Sequence, residues 1–538
     1  MGYDLIIKNG LLVDGTGNPG YQADLAVKDD KIAKIATSID EQAKKIIDAN
    51  GMLVTPGFID PHVHEELVVL NSGEFTDFLK QGVTTLVNGN CGHSVTPGNS
   101  DNIFEYMYKN GLVSERAKEY YAENKWSSLT EYIELVKEKG FNLNMGILLG
   151  HGTIRWSVMG GSKDRKPTEE ETKQIASIIE EGLSQGALGM STGLSYIPSR
   201  YADTEELIAA AKVLAKNDST YSSHIRYYEG HLEAVKEAIE IGKKADVRVQ
   251  VSHLTPTATE AYQAILEARR AGVEVAVDTI PKSSGHCTRK DRMLQFIMAL
   301  SSDLFEKGIE GVKEALRDPK GREKILEEAK LFDDDKSNIY VINTEDENLE
   351  GKSITEIAEL LDKNPDDVLL DMLADDNLDF TLWLGGINRE DFPGDEYPEA
   401  VVNNPLVMVG SDRIFGEVED AAAWYELFRR GAFPIFFKLM QDKGVAIEDI
   451  IRRLTSLPAQ QFRLTDRGIL KDGMAADIAI IDLDNYSYPD NDSIDYRQPI
   501  TYAKGVQYVV VNGQLVLEDS KVNRNYPGKF IGKYGQEL

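Results

Sequence analysis

From residue 54 onward the chain alternates short β-rich runs with helical periods, and this alternation restricts the fold more than any other property of the sequence. Parallel strands need crossover connections long enough to hold a helix, so a regular strand-helix succession means a parallel sheet covered by helices. Strand-like runs fall at 54–59, 84–87, 143–149, 187–191, 220–223, 247–252 and 273–278, with an eighth at 406–410. Helical periods lie between them, as at 206–214 and 232–241. Eight such units predict an α/β fold of the TIM-barrel type, whose active site would lie at the C-terminal ends of the strands. The interval 287–405, rich in charge and helical in pattern at 323–330 and 354–361, reads as an insertion or lid subdomain on that face. Within it, Asp333-Asp334-Asp335 reads as a solvated helix end.

The two ends of the chain have a different texture. Leu5-Ile6-Ile7, Leu11-Leu12-Val13, Asp24-Leu25-Ala26-Val27 and Ile32-Ala33-Lys34-Ile35 are short runs separated by turn residues, as in a small antiparallel sheet. The stretches 476–481 and 506–513 look the same, and the second ends in Asn512-Gly513, a hairpin signal. The simplest assembly joins residues 1–53 and 466–538 into one β-sandwich domain, with the barrel, residues 54–465, inserted between them.

A chain of 538 residues has room for a barrel, a second module and an insertion. Its 89 acidic residues against 59 basic ones, a formal net charge of −30, argue against a nucleic acid or a membrane surface as partner. With only two cysteines, Cys91 and Cys287, no disulfide framework is available. The N-terminal segment lacks a basic stretch followed by a long apolar one, and no run of about 18 apolar residues occurs. A cytoplasmic protein acting on a small molecule is the expectation.

The first barrel run continues as Pro56-Gly57-Phe58-Ile59-Asp60-Pro61-His62-Val63-His64. Side chains two apart on a strand share a side, so His62 and His64 can offer both imidazoles to one metal ion. Cys91 follows the second run, His224 the fifth, His253 the sixth and Asp412 the eighth. Singly, each has an ordinary explanation as a satisfied core histidine, a small buried cysteine or a turn aspartate. Six of them at strand ends that a barrel gathers on one face point to a metal centre. Imidazole, thiolate and carboxylate suit zinc, which at a catalytic site keeps one position open.

This pattern resembles the amidohydrolase superfamily of metal-dependent TIM-barrel hydrolases. Many of its members use a carboxylated lysine on strand four, but Gly186-Ala187-Leu188-Gly189-Met190-Ser191-Thr192-Gly193-Leu194 offers none. Gly89-Asn90-Cys91-Gly92 is instead similar to the N-acyl-D-amino-acid deacylase (D-aminoacylase) family. The likeness continues through Gly150-His151-Gly152-Thr153-Ile154-Arg155, Ser223-His224-Ile225-Arg226, Ser252-His253 and Gly410-Ser411-Asp412 to Gly473-Met474-Ala475-Ala476-Asp477-Ile478. It implies a zinc-dependent amide hydrolase that releases a carboxylate and a free D-amino acid. Cys91, His224 and His253 would hold a tight zinc, His62 and His64 with Asp412 a weaker second position, and Asp412 would act as general base.

Around the substrate the chain departs from the family. Ser252-His253-Leu254-Thr255 stands where the family reads Ser-His-His-Lys, Asp278-Thr279-Ile280-Pro281-Lys282 where it reads Asp-X-Tyr-Pro-Tyr, and Arg413-Ile414-Phe415-Gly416-Glu417 replaces a His-Pro-Arg run. Three carboxylate-recognition elements thus change together. Arg226, two residues past a ligand, is placed either on a substrate carboxylate or in a structural ion pair. Lys282 would supply the charge lost at Thr255, and His151 would orient a strand-end loop beside the substrate. His93 either lines the site or packs against it. A cyclic-amide hydrolase of the dihydroorotase or hydantoinase kind is the alternative activity. A non-catalytic scaffold on this fold would have lost ligands, and all six are present.

Overall fold

The computed structural model describes every residue except 1, 114, 282–285, 329–335, 385–396, 415–423, 427–429 and 490–500, so Lys282 and the Asp333–335 run lie outside the described residues. Eight strands, Phe58–Asp60, Val83–Asn88, Asn144–Gly150, Gly189–Gly193, Thr220–His224, Arg248–Val251, Val275–Thr279 and Val407–Val409, follow one another as parallel neighbours in a single sheet. All their residues are buried, as expected for strands covered on one side by helices and packed on the other against the barrel interior. The barrel closes through a short parallel ladder, Arg413 and Ile414 on Val63 and His64, and through the Asp412 amide, which donates to the His62 carbonyl at 2.8 Å.

The predicted first strand, 54–59, is in fact two. Leu53–Pro56 pairs with Ile478–Ile481 and with the end of Tyr3–Leu12, whereas Phe58–Asp60 pairs with the second barrel strand. The switch occurs within one residue: the Gly57 amide bonds to the Asp477 carbonyl at 2.8 Å and the Phe58 amide to the Gly82 carbonyl at 2.9 Å. Pro56, with no N–H to give to either ladder, marks the point at which the chain can change partners.

Both ends of the chain share one nine-stranded sheet, with an apolar cluster of its own that includes Leu5, Ile7, Leu25, Val27, Val54, Ile478, Ile480 and Val510. It is mixed rather than purely antiparallel, because Tyr3–Leu12 pairs in parallel with both Ala43–Asp48 and Leu53–Pro56. The two runs read at residues 5–7 and 11–13 belong to one strand with a register shift between Ile7 and Gly10. Asn512 and Gly513, both at positive φ, make the tight hairpin between Val506–Val511 and Gln514–Glu518. A buried polar cluster ties this sheet to the barrel. Asp477 accepts from Asn144 Nδ2 at 3.0 Å, from the Asn512 amide at 2.8 Å and from Arg467, while Asn512 Nδ2 donates to Asn144 Oδ1 at 2.7 Å. Each member satisfies another, so losing one would strand a buried polar group at a cost of about 1–3 kcal/mol.

The insertion after the seventh strand contains the helices Lys290–Leu300, Ser302–Arg317, Pro319–Glu328, Ile354–Leu361 and Pro365–Ala374 around a separate apolar core that includes Ile297, Val312, Leu370 and Phe380. It is not helical throughout. A four-stranded antiparallel sheet runs in the order Ile339–Ile342, Thr381–Leu384, His286–Arg289, Trp424–Glu426, and its last strand comes from beyond the eighth barrel strand. Strands of only three or four residues carry too little periodicity to be read, which is why the interval looks mostly helical in the sequence. Among the described residues no helix is long and apolar enough to cross a membrane.

Candidate metal centre

The six residues singled out at the strand ends come together in the barrel mouth as two sets. His62, His64, Cys91 and Asp412 form one, Cys91, His224 and His253 the other, and within each set the donor atoms lie within 4.8 Å of one another. Cys91 belongs to both. Its Sγ is 3.3 Å from His62 Nε2 and 3.4 Å from His253 Nε2. Asp412 Oδ1 is 3.3 Å from His62 Nε2 and 3.4 Å from His64 Nε2, and His224 Nδ1 is 2.8 Å from His253 Nε2. Donors about 2.0–2.3 Å from a tetrahedral zinc are about 3.3–3.6 Å apart, so most of these spacings suit one ion per set. Nitrogen, thiolate and carboxylate donors are also the chemistry zinc takes.

Local backbone shape delivers these side chains. Cys91, His253 and Asp412 have φ of 53°, 37° and 49°, a left-handed conformation uncommon for residues with a Cβ. Each follows a strand end, where a sharp turn aims the side chain back over the barrel instead of outward along the connecting loop. The Cys91 loop rests directly on the fourth strand: a Cβ on Gly92 would lie 2.6 Å from the Gly193 nitrogen, and one on Gly193 would lie 2.0 Å from the Cys91 carbonyl oxygen. Asp60 fastens the other side, its Oδ1 accepting from the His62 amide at 3.1 Å and the Ser411 amide at 3.2 Å. Burial pushes the Asp60 carboxyl up to about 7.

Without an ion, burial raises the Cys91 thiol to about 11, and the His62 charge opposes the rise. Burial would lower His62, but Asp278, Cys91 and Asp412 around it hold it well above its ordinary value. Burial and the neighbouring His253 push His224 well below. A divalent cation would reverse the first of these, because a coordinating thiol loses its proton.

Three residues that contact the candidate ligands were not assigned roles from the sequence. Asp278 Oδ1 is 3.2 Å from His62 Nδ1 and accepts from the His253 amide at 2.8 Å, so one carboxylate orients a member of each set. The Tyr227 hydroxyl is 3.0 Å from His253 Nδ1, which leaves Nε2 of that ring for the centre. The Tyr196 ring packs, tilted, against His224, with centroids 4.6 Å apart, and against His93, at 4.7 Å. Asp278 was visible as a strand-end carboxylate, but nothing local in the sequence distinguishes Tyr196 and Tyr227 from ordinary loop tyrosines.

The substrate-side candidates fare differently. Arg226 is 6% exposed and engaged throughout: Nε donates to Glu237 at 2.9 and 3.2 Å, Nη1 to the Arg200 carbonyl and the Tyr228 hydroxyl at 3.1 Å each, and Nη2 to the Ala202 carbonyl. This is the structural ion pair, not a carboxylate clamp. Arg226→Met is therefore expected to cost about 1–3 kcal/mol of stability, since the partly buried Glu237 loses its cation and keeps only the Thr204 hydroxyl, at 2.8 Å, as a side-chain donor. Adding Glu237→Met should recover most of the loss in a denaturant titration, with metal content unchanged throughout. His151 is fully buried, its Nδ1 3.0 Å from Ser199 Oγ and its Nε2 3.3 Å from Glu206, which also pairs with Arg155 at 3.0 Å. It braces the helix His151–Met159 against its neighbours and has no surface left for a substrate.

The model of the amidohydrolase family matches residues 45–270 and 399–517, more than half of the chain. A D-aminoacylase of Alcaligenes xylosoxydans xylosoxydans is 27% identical over 99% of this chain and 98% of its own, and an N-acyl-D-aspartate deacylase of the same organism is 28% identical over 98% and 95%. The crystal structure of N-acyl-D-glutamate deacylase from Bordetella bronchiseptica, complexed with zinc and a phosphonate inhibitor that mimics the tetrahedral intermediate, superposes with a TM-score of 0.74 at 26% identity, over 98% of this chain and 99% of that one. With the barrel, the strand-end ligands and the family model all in agreement, this chain belongs to the amidohydrolase family.

Proposed function

We propose that the protein is a zinc-dependent amide hydrolase that deacylates N-acyl-D-amino acids, giving a carboxylate and the free D-amino acid. The observation that carries this reading is the pair of buried donor sets sharing Cys91, with Asp412 beside them. Likeness over nearly the full chain to enzymes named for this reaction supports it. In this reading Cys91, His224 and His253 hold the tight zinc, while His62, His64 and Asp412, with Cys91 shared, hold a weaker one. Zinc held there would lower the pKa of a bound water from 15.7 to about 7 and polarise the scissile carbonyl.

The protein's own groups supply the rest. Asp412, between His62 and His64 and 7% exposed, takes the proton of the attacking water on its carboxylate and passes it to the leaving nitrogen. Asp278 and Tyr227 fix the His62 and His253 rings so that both Nε2 atoms face the centre. A cytoplasmic setting goes with a small-molecule substrate and a chain that has two cysteines.

The test is amine release from N-acetyl, N-formyl and N-succinyl D- and L-amino acids, run beside hydantoins and dihydroorotate with zinc-loaded protein. Turnover of the D-series at least about tenfold above the L-series is expected. Turnover confined to the cyclic amides would transfer the site to the hydantoinase-like alternative.

A further inference from the structure

His93 lies two residues past Cys91, is 1% exposed, and is hydrogen-bonded through Nδ1. Its Nδ1 is 2.7 Å from the Tyr106 hydroxyl, which is also 3.2 Å from the Gly92 carbonyl. That carbonyl already accepts from the Gly152 amide at 3.0 Å and the Thr153 amide at 3.3 Å. The single tyrosine proton therefore goes to the nearer and otherwise unserved acceptor, Nδ1. An imidazole that accepts at Nδ1 while neutral carries its proton at Nε2. Nε2 has no hydrogen-bond partner among the described residues. A buried N–H without an acceptor is rare in a folded protein and asks what fills the place.

The position of the ring answers that question. Its centroid is 6.5 Å from His64, a member of the first donor set, and 4.7 Å from Tyr196, which is itself 4.6 Å from His224 in the second. The loop is rigid: the Gly92 amide donates to Ser191 Oγ at 2.9 Å and the His93 amide to the Asn90 carbonyl at 2.9 Å. We propose that His93 is a further catalytic residue, whose Nε2–H donates a hydrogen bond to the oxygen of the scissile carbonyl and strengthens as that oxygen gains negative charge in the tetrahedral state. This rests on the amide-hydrolase reading. No proton leaves His93; the ring acts as a fixed dipole in a dry site, and Tyr106 sets its tautomer.

His93→Leu removes the donor, while His93→Gln places an amide N–H close to the same point. Three quantities decide for the zinc-loaded full chain: zinc per chain, kcat and KM on the amide turned over, and the Kd of an N-methylphosphonyl amino acid as tetrahedral probe. His93→Leu should keep its zinc and a KM within about threefold, lose about 10²–10³ in kcat, and bind the probe weaker by a similar factor. His93→Gln should recover at least about a tenth of both losses. The proposal is overturned if kcat and probe affinity of His93→Leu stay within about threefold of wild type, or if both variants lose zinc alike, which would make His93 a packing residue of the Cys91 loop. If the wild-type protein hydrolyses none of the amides, the functional reading fails on that result alone, and the probe affinities of the two variants still decide the role of His93.

Discussion

Cys91→Ala is expected to empty both metal positions at once and to take activity to background. Its Sγ is the one atom common to the two donor sets, and removing it leaves His224 and His253 as two neutral imidazoles and deprives the first set of one of its two anionic donors. Two imidazoles without an anion are a poor zinc site. His62→Ala or His64→Ala should differ, stripping the first set while about one zinc per chain stays on Cys91, His224 and His253 with part of the rate, because one ion can both activate water and polarise a carbonyl. Mass-spectrometric metal content after dialysis, read beside activity, separates these outcomes. A folding defect is controlled for by Cys91→Gly, since Cys91 sits at φ 53° and glycine relieves that strain while lacking the thiolate just as alanine does. Full zinc in Cys91→Ala together with a metal-free His62 variant would reverse the assignment of the tight site.

Asp412→Asn should leave the fold and the tightly held zinc in place and lower kcat by at least about a hundredfold, the usual range for a positioned general base being about 10²–10⁴. The substitution is conservative in the ways that matter for structure. Asparagine has the same shape, keeps an oxygen that can face His62 and His64, and tolerates the left-handed backbone, φ 49°, that aims this side chain. What it loses is the capacity to take a proton. Thermal unfolding and zinc content close to wild type, with kcat down and KM little changed, is the expected set of results. A near-normal kcat in a zinc-replete variant would take Asp412 out of proton transfer.

Most of the candidate metal centre could be gathered from the sequence for a topological reason. In a parallel barrel every strand delivers its C-terminal end to one face, so residues far apart in the chain become neighbours once the strands are located. His62, His64, Cys91, His224, His253 and Asp412 could therefore be gathered from six places by knowing only where strands stop. The same logic failed for Arg226 and His151, which also lie near strand ends. Whether a cation or an imidazole there serves a ligand or a structural pair depends on what stands across from it, and Glu237 and Glu206 arrive on helices that pack behind the barrel mouth.

Residue type and strand-end position, both local properties, were enough to read the barrel and to single out the candidate donors. Only the tertiary structure decided how the donors are divided. It placed one sulfur between two sets, turned Cys91, His253 and Asp412 inward through left-handed backbone, set Asp278 and Tyr227 behind the histidines, and left His93 Nε2 without a hydrogen-bond partner among the described residues. These are distances of about 3–4 Å between residues up to several hundred positions apart, fixed by how the loops pack on one another, and no periodicity along a chain encodes them.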